Sequence, residues 1–204
     1  LQYALEHSLN IPAIKLLQKV GIQDAINMAR RMGIVSDLSP TLSLALGTSD
    51  VSLLEMTSAF GVLATGGEKA ETLSILKVTD KNGKILEENK PSTTRVMDRD
   101  TAAMTVLMMK GVIASGTGVR ANIGRSAAAK TGTSDNFKDA WFIGFVPQIT
   151  AGVWVGNDNN ASMKGVAEVG VCPRIWKDFM GKTLAGIPEQ ELPQPDNTVS
   201  VQIC

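Results

Sequence analysis

Residues 127–155 read AAAKTGTSDNFKDAWFIGFVPQITAGVWV, and their pattern predicts the central architecture of the protein. Three short apolar runs, at 127–131, 140–146 and 149–155, are separated by polar or proline-containing connections. Runs of this length between turn residues are typical of β-strands. Pro147-Gln148 leaves room only for a tight turn, so the last two runs are predicted to pair as antiparallel neighbours. The segment therefore predicts an antiparallel meander.

Helical periodicity dominates the chain before this segment. It covers residues 1–33, with breaks predicted at Pro12 and Gly21, and two later stretches that end near residues 64 and 114. Candidate N-caps precede the two later helices: Ser49 or Asp50, and Asp98 or Asp100. With a final helix predicted over 171–184, the elements indicate an α+β fold in which an antiparallel sheet is flanked by helices.

Three smaller features refine this prediction. A hairpin is predicted over 72–88, around the turn Asp80-Lys81-Asn82-Gly83. The methionine-rich face of the second later helix is predicted to pack in the core. That face comprises Met104, Leu107, Met108 and Met109. Residues 188–195 are proline-rich and 199–203 alternate like a strand, so we assign 1–187 to one domain and 188–204 to a linker and the start of a C-terminal extension.

Composition excludes several classes of protein. The 204 residues include 20 Lys+Arg and 20 Asp+Glu, and this balance argues against a nucleic-acid partner, which needs a basic face. It argues equally against a polybasic membrane-surface protein. Two cysteines and one histidine are too few for a disulfide scaffold or a cysteine-only metal site, and we predict no metal and no cofactor. No apolar run reaches about 18 residues, so no transmembrane helix is expected within the chain.

The tryptophan residues and Cys172 are expected to be buried in the hydrophobic core. Cys172 lies just before the final predicted helix and is expected to be a buried, structural thiol, while a disulfide with Cys204 is left open. The tryptophans are Trp141, Trp154 and Trp176, of which Trp154 has a second interpretation as a cleft residue.

Residues suited to binding an anionic peptide lie in the first predicted strand of the meander. Alternation along a strand places the hydroxyls of Thr131 and Thr133 on one face. Gly132 between them leaves room for a ligand lying along the strand, and Lys130 supplies a positive charge for a carboxylate. The alternative is an ordinary edge strand whose lysine discourages aggregation.

A second candidate is Ser8-Leu9-Asn10, just before Pro12. Where the backbone leaves regular helix, a serine and an asparagine two positions apart can point into a common cleft. The alternative is a local cap for a helix that begins near Pro12, because Ser and Asn favour that role.

In combination, the two motifs carry a resemblance to a known family. Ser-x-x-Lys, Ser-x-Asn and Lys-Thr-Gly, in this order, are the motifs of the penicillin-recognising serine enzymes. Residues 1–185 resemble the transpeptidase domain of the class A (bifunctional) penicillin-binding proteins, which implies a β-lactamase/transpeptidase-like fold. The resembling segments are 3–21 around Ser8-Leu9-Asn10, 46–67, Gly111-Val112 to Gly116-Thr117-Gly118, and Asp139-Ala140-Trp141-Phe142-Ile143-Gly144-Phe145-Val146-Pro147.

The resemblance implies a peptidoglycan D,D-transpeptidase that is inhibited by β-lactams. Its substrates would be stem peptides ending in D-Ala-D-Ala, cross-linked through a serine acyl-enzyme. Ser8 would relay a proton, Asn10 would bind a substrate amide, and Lys130 would attract the terminal carboxylate. The hydroxyls of Thr131 and Thr133 would bind that carboxylate. The backbone N–H of Thr133 would form half of an oxyanion hole, the loss of which costs about 3 kcal/mol of barrier.

One part of the family pattern is missing from its expected place. Ser-x-x-Lys should precede Ser-x-Asn, but only seven residues precede Ser8. Ser126 with Lys130, and Ser134 with Lys138, are spaced by four rather than three. We therefore expect a domain that is incomplete on its N-terminal side and inactive alone. An upstream part of the same precursor is expected to supply the nucleophile, two sheet strands and a membrane anchor, on the extracytoplasmic face of the bacterial cytoplasmic membrane.

Two other functions remain open at this point. Glu6-His7-Ser8-Leu9-Asn10 fits the Glu-x-x-Leu-Asn loop of class A β-lactamases, although it would then overlap the Ser-x-Asn motif. A non-catalytic penicillin-binding or sensor module is the other alternative, because the residues that distinguish it from an enzyme lie in the expected upstream segment.

Overall fold

The computed structural model describes residues 1–163, 165, 170–196 and 198. Helices precede and follow an antiparallel meander, which confirms the predicted α+β class. The helices are α1 (Gln2–Glu6), α2 (Asn10–Val20), α3 (Ile22–Met32), α4 (Leu53–Ala64), α5 (Arg99–Ala114) and α6 (Val171–Thr183). The strands are β1 (Glu68–Ala70), β2 (Lys77–Thr79), β3 (Ile85–Glu88), β4 (Thr93–Arg95), β5 (Ala128–Thr133), β6 (Asp139–Val146) and β7 (Ile149–Gly156).

The first helical region breaks in a different place from the one predicted. Pro12 does not interrupt it, because Pro12 lies in the first turn of α2, where its missing N–H costs no helical hydrogen bond. The break falls instead at 7–9, around Ser8. The predicted break at Gly21 is confirmed, and its φ of 102° is one that glycine tolerates.

The start of α4 corrects a second prediction. The N-cap is Ser52, not Ser49 or Asp50, and Ser52 forms a capping box with Glu55. The Glu55 carboxylate also accepts hydrogen bonds from Val35 N at 2.6 Å, Ser36 N at 2.7 Å and Ser36 Oγ at 2.6 Å. The hydrogen bonds from Ser36, and after them those from Ser52 and Val35, hold the pKa of the Glu55 carboxyl well below its usual range. Glu55 therefore fastens the loop after α3 to α4.

The main sheet has the order β5-β6-β7, with antiparallel pairing throughout. This confirms the meander predicted from residues 127–155. The hairpin predicted within 72–88 is confirmed as β2 and β3. The two-stranded sheet of β1 and β4 was not predicted.

Helices cover both faces of the main sheet. Gly144 on β6 faces α6, because a Cβ built there would lie 2.9 Å from the Trp176 side chain. Gly152 on β7 faces α4, because its Cβ would lie 2.2 Å from the hydroxyl of Thr57. The Trp176 indole donates to the carbonyls of Gly144 at 3.2 Å and Ala151 at 3.1 Å, which locks α6 to the sheet. Helix α5 packs beside α4, against β5.

The core predictions are confirmed in part. Cys172 is buried as expected, and burial raises the pKa of its thiol to about 11. On α5 only part of the methionine-rich face is core: Met109 is buried, but Met104 and Leu107 are each 40% exposed, since α5 packs on β5 from one side only. Trp154 is likewise 40% exposed and is not a core residue.

The proline-rich segment after α6 contains no helix or strand in its described residues. It nevertheless lies against the domain, since Leu192 is buried in the core beside Met97 and Phe145, and Glu189 accepts a hydrogen bond from Ser126 N at 2.8 Å. The strand predicted at 199–203 and Cys204 fall outside the described residues.

Candidate functional site

Ser8 and Lys130 meet in space although 122 positions separate them. The Lys130 ammonium donates a hydrogen bond to Ser8 Oγ and a second one, of 3.0 Å, to the carbonyl of Thr131. Lys130 is half-buried, and two internal acceptors hold its ammonium in place. It does not project into solvent, as a lysine that merely protects a sheet edge would.

The backbone at Ser8 explains how its hydroxyl reaches Lys130. Ser8 N bonds to Leu5 O at 3.3 Å and Leu9 N bonds to Ala4 O at 2.9 Å, a pattern that ends α1 in a Schellman motif. Ser8 occupies the left-handed position of this motif, with φ of 53°, where glycine is usual. A non-glycine residue in this strained conformation is typical of functional sites.

Neither Ser8 nor Asn10 is the N-cap of α2. The N-cap of α2 is Leu9, and no side chain makes the capping hydrogen bond. The local-cap alternative is therefore wrong. Asn10 is the first residue of α2, it is exposed, and its side chain makes no hydrogen bond within the described part of the chain.

Burial changes the acidity of Lys130. Desolvation lowers the pKa of its ammonium to about 8, since the charged form is penalised away from water. No carboxylate lies within ion-pair distance of its Nζ among the residues that the structure describes. Lys130 can thus offer a positive charge to an anionic ligand, and its pKa lies close to neutral pH.

The backbone N–H of Thr133 points to the outer edge of β5. Ser134 N bonds to Asp139 O at 3.1 Å, toward β6, and successive N–H groups of an antiparallel strand alternate in direction. No strand pairs with that outer edge within the described residues. The N–H of Thr133 is therefore directed away from β6, and the Thr133 side chain is exposed.

The packing of β5 against β6 also favours glycine at position 132, apart from the room that it leaves for a ligand. Its cross-strand partner is Trp141, and a Cβ at Gly132 would lie 3.2 Å from the Trp141 Cβ. A larger residue would press on that tryptophan, so the glycine also serves the packing of β5 on β6.

Thr117 was missed as a site residue by the sequence analysis. Its Oγ1 lies 2.7 Å from Thr131 Oγ1, and its N–H donates to the carbonyl of Glu6 at 3.1 Å. It thereby joins β5 to the turn that carries Ser8. The one signal available was its setting between two glycines, Gly116 and Gly118.

Glu6 packs against α5 and so helps to hold the turn that carries Ser8. Its side chain is buried, accepts a hydrogen bond from Gln2 Nε2 at 2.7 Å and lies against Gly111 of α5. A Cβ at Gly116 would lie 2.4 Å from the Glu6 carbonyl oxygen, so only glycine permits this approach. The contacts seat α1 on α5, two residues before Ser8.

Two further serine motifs occur in the chain and neither joins the site. Ser74-Ile75-Leu76-Lys77 has the Ser-x-x-Lys spacing, but Ser74 lies in a bend, both ends are exposed, and Lys77 in β2 pairs with Glu88 at 3.6 Å. No helix includes this pair, so the two side chains do not share a helix face as residues three apart in a helix do. Ser134-Asp135-Asn136 has the Ser-x-Asn spacing, but its serine bonds to Asp139 in the turn after β5.

The part of the chain that the structure describes offers neither a metal site nor a membrane-spanning helix. Among the described residues, no three His, Cys, Asp or Glu side chains come together as a metal site would require. In the same part of the chain, no helix combines the length and the apolar character needed to cross a membrane.

Comparison with known proteins identifies relatives over the whole chain. Residues 1–180 match the family described as penicillin binding protein transpeptidase domain. Penicillin-binding protein 1A of Aquifex aeolicus is 39% identical over 205 residues, which cover 100% of this chain and 28% of that protein. Penicillin-binding protein 2D of Bacillus subtilis is 36% identical, covering 98% of this chain and 30% of its own length. The chain thus spans less than a third of these relatives.

Solved structures agree with these relatives. Penicillin-binding protein 1A from Haemophilus influenzae superimposes with a TM-score of 0.87 at 26% identity, over 96% of this chain and 36% of that one. The PonA1 protein from Mycobacterium tuberculosis, in complex with penicillin V, gives 0.86 at 27% identity, over 97% of this chain and 59% of that one. Fold, motif order and sequence agree, and the chain belongs to the transpeptidase domains of the class A, 1A-type penicillin-binding proteins.

Proposed function

We propose that this chain carries the Ser-x-Asn and Lys-Thr-Gly half of the active site of a peptidoglycan D,D-transpeptidase that β-lactams inhibit. The observation that carries the proposal is the hydrogen bond from the Lys130 ammonium to Ser8 Oγ. It joins the two motifs across the fold, and it leaves a hydroxyl next to a lysine whose pKa of about 8 suits proton transfer.

The proposed roles follow from the chemistry of each group. A serine nucleophile attacks the penultimate D-Ala carbonyl, the terminal D-Ala leaves as an amine, and an amine of a second stem peptide takes the acyl group. Ser8 passes a proton to the leaving amine and takes one from the incoming amine, and Lys130 holds that proton-transfer chain in place. Asn10, with its uncommitted side chain, binds a substrate amide.

The substrate carboxylate and the reacting carbonyl are assigned to β5. Lys130 supplies positive potential, and the hydroxyls of Thr131 and Thr133 donate to the carboxylate. The outward N–H of Thr133 is one of the two donors to the oxyanion that forms during acylation. An extended ligand lying along this edge would add main-chain hydrogen bonds as a further strand does.

The nucleophile of this reaction is proposed to lie outside the 204 residues. The single Ser-x-x-Lys spacing, at Ser74 and Lys77, is not helical, and both residues are exposed. The outer edge of β7 has no partner strand within the described residues. We propose that an upstream part of the same precursor supplies the Ser-x-x-Lys helix, pairs with β7 and anchors the protein on the extracytoplasmic face of the bacterial cytoplasmic membrane.

A labelling experiment tests the proposal. The protein at its full natural length is reacted with a fluorescent penicillin, and the labelled peptide is located by mass spectrometry. We expect a persistent adduct on a serine outside residues 1–204. Ser8→Ala is expected to slow its formation about a hundredfold, because a positioned proton relay contributes at least that much.

Ser58→Ala is the matched control, since Ser58 lies on α4 and its hydroxyl bonds only to Thr72, at 3.4 Å, among the described residues. It is expected to label like the wild type. A label on any serine within 1–204 would contradict the assignment of the nucleophile. Rapid release of hydrolysed penicillin would point to a β-lactamase, and penicillin binding without a covalent adduct would point to a sensor module.

A further inference from the structure

A third hydroxyl lies beside the strand to which the substrate carboxylate is assigned. Thr117 Oγ1 lies 2.7 Å from Thr131 Oγ1, a distance typical of a strong hydrogen bond between hydroxyls. Thr117 lies on the connection between α5 and β5, and its side chain is exposed. Its hydroxyl therefore reaches the strand without being buried by it.

The position of this hydroxyl is set by the backbone around it. Three successive N–H groups are held: Gly116 N bonds to Gly111 O at 2.9 Å, Thr117 N to Glu6 O at 3.1 Å, and Gly118 N to Val112 O at 2.9 Å. Such support fixes the side chain before any ligand arrives. None of these bonds involves the hydroxyl itself, so removing it leaves the turn intact.

The hydroxyl pair of Thr117 and Thr131 has only two protons. Each hydroxyl has one proton to donate, and one of the two is used between Thr117 and Thr131. If Thr131 donates to Thr117, it has no proton left for an anion. If Thr117 donates to Thr131, the Thr131 proton is free for an anion, and the bound negative charge favours this orientation because both O–H dipoles then point toward it.

We propose that Thr117 is a positioning residue that orients the Thr131 hydroxyl as a donor to the carboxylate of the substrate or β-lactam. The inference rests on the proposed function and assigns to the site a residue outside its Ser-x-Asn and Lys-Thr-Gly motifs. Thr117 acts through Thr131, so its contribution requires both an anionic ligand and an intact Thr131.

The test measures the acylation rate of the protein at its full natural length by benzylpenicillin. Thr117→Val keeps the shape and removes the hydroxyl, and it is expected to slow acylation about threefold to tenfold, the range for one hydrogen bond. Thr117→Ser restores the hydroxyl and is expected to restore the rate. With penicillin methyl ester, which lacks the anion, Thr117→Val is expected to react like the wild type.

A double-mutant cycle tests whether Thr117 acts through its neighbour. In a Thr131→Val background, adding Thr117→Val is expected to cause no further loss. Thr105→Val on α5 is the matched control, since its hydroxyl bonds only to the Thr101 carbonyl, at 2.9 Å, among the described residues. It is expected to leave acylation unchanged.

The outcomes separate this inference from the proposed function. If the wild type is acylated and Thr117→Val reacts equally fast, the inference is wrong and the transpeptidase proposal stands. Additive losses in the double mutant, or an equal loss with the methyl ester, would also overturn it, because Thr117 would then act independently of Thr131 or of the anion. A wild type that is not acylated at all refutes the proposed function itself.

Discussion

Gly116→Ala is expected to separate Ser8 from Lys130 without touching either residue. The added Cβ would lie 2.4 Å from the carbonyl oxygen of Glu6, whereas ordinary contacts begin at 3.4 Å. One of the two groups must therefore move by about 1 Å. The Val112 backbone, only 3.0 Å from the same Cβ, blocks retreat toward α5, so the short helix α1 is the element that yields.

This displacement has two measurable consequences. Ser8 follows Glu6 by two residues, and a misplacement of about 1 Å in a catalytic group is expected to slow acylation about a hundredfold. Overpacking of this kind is expected to lower the free energy of unfolding by about 1–3 kcal/mol. The assays are the second-order rate of labelling by fluorescent penicillin and urea unfolding, both on the protein at its full natural length.

Gly181→Ala is the matched control. Gly181 lies on the exposed side of α6, nothing lies within 4 Å of its added Cβ, and alanine there is expected to stabilise the helix by about 0.5–1 kcal/mol. If Gly116→Ala labels within about twofold of the wild type, the close approach of Gly116 to Glu6 does not position Ser8, and the reasoning fails.

Three other predictions concern charge and packing. Burial lowers the pKa of Lys130 to about 8, so carboxylate-dependent acylation is expected to fall above about pH 8 as the ammonium loses its proton. In the Lys130→Arg variant, the arginine keeps its positive charge at higher pH. The pH–rate profile of this variant should therefore show the fall in acylation at a higher pH than the wild type, or no fall at all. The pKa of Glu55 is held below its usual range, so part of the stability present above about pH 4 is lost on acidification. Glu55→Gln should remove that part of the pH dependence in thermal unfolding, and an unchanged profile would contradict it. Gly144→Ala, with its Cβ 2.9 Å from Trp176, is expected to cost about 1–3 kcal/mol in urea unfolding, whereas Gly181→Ala costs nothing.

Sequence patterns predicted the elements whose signals are local. Asp98 caps α5 as predicted, through a 3.0 Å bond from Thr101 N. The meander was also predicted correctly, because strand pairing across a two-residue turn follows from neighbouring residues. The start of α4 was predicted wrongly although a local signal was present: among Ser49, Asp50 and Ser52, only Ser52 has a glutamate three residues later, as a capping box requires. Contacts of Glu55 with the distant Val35 and Ser36 accompany the choice of Ser52.

Other features of the fold could not be predicted from local sequence patterns. Strands β1 and β4 are three residues each and far apart in sequence, too short for any period to be recognised. The burial of Leu192 depends on a core surface that α4 and α5 create together. Pro12 was misjudged because a proline that would break a helix interior is well placed in a first turn.

The same division applies to the site. Residue types and spacing made Ser8, Asn10 and the Lys130-Thr131-Gly132-Thr133 strand candidates, because these motifs are written in consecutive residues, and their order and the family resemblance favoured them over the alternatives. Tertiary structure decided that Lys130 reaches Ser8, that burial lowers its pKa, and that Thr117 meets Thr131. Those properties arise from groups that are distant along the chain and adjacent in space. Distance and desolvation are set by packing, and no linear pattern contains them.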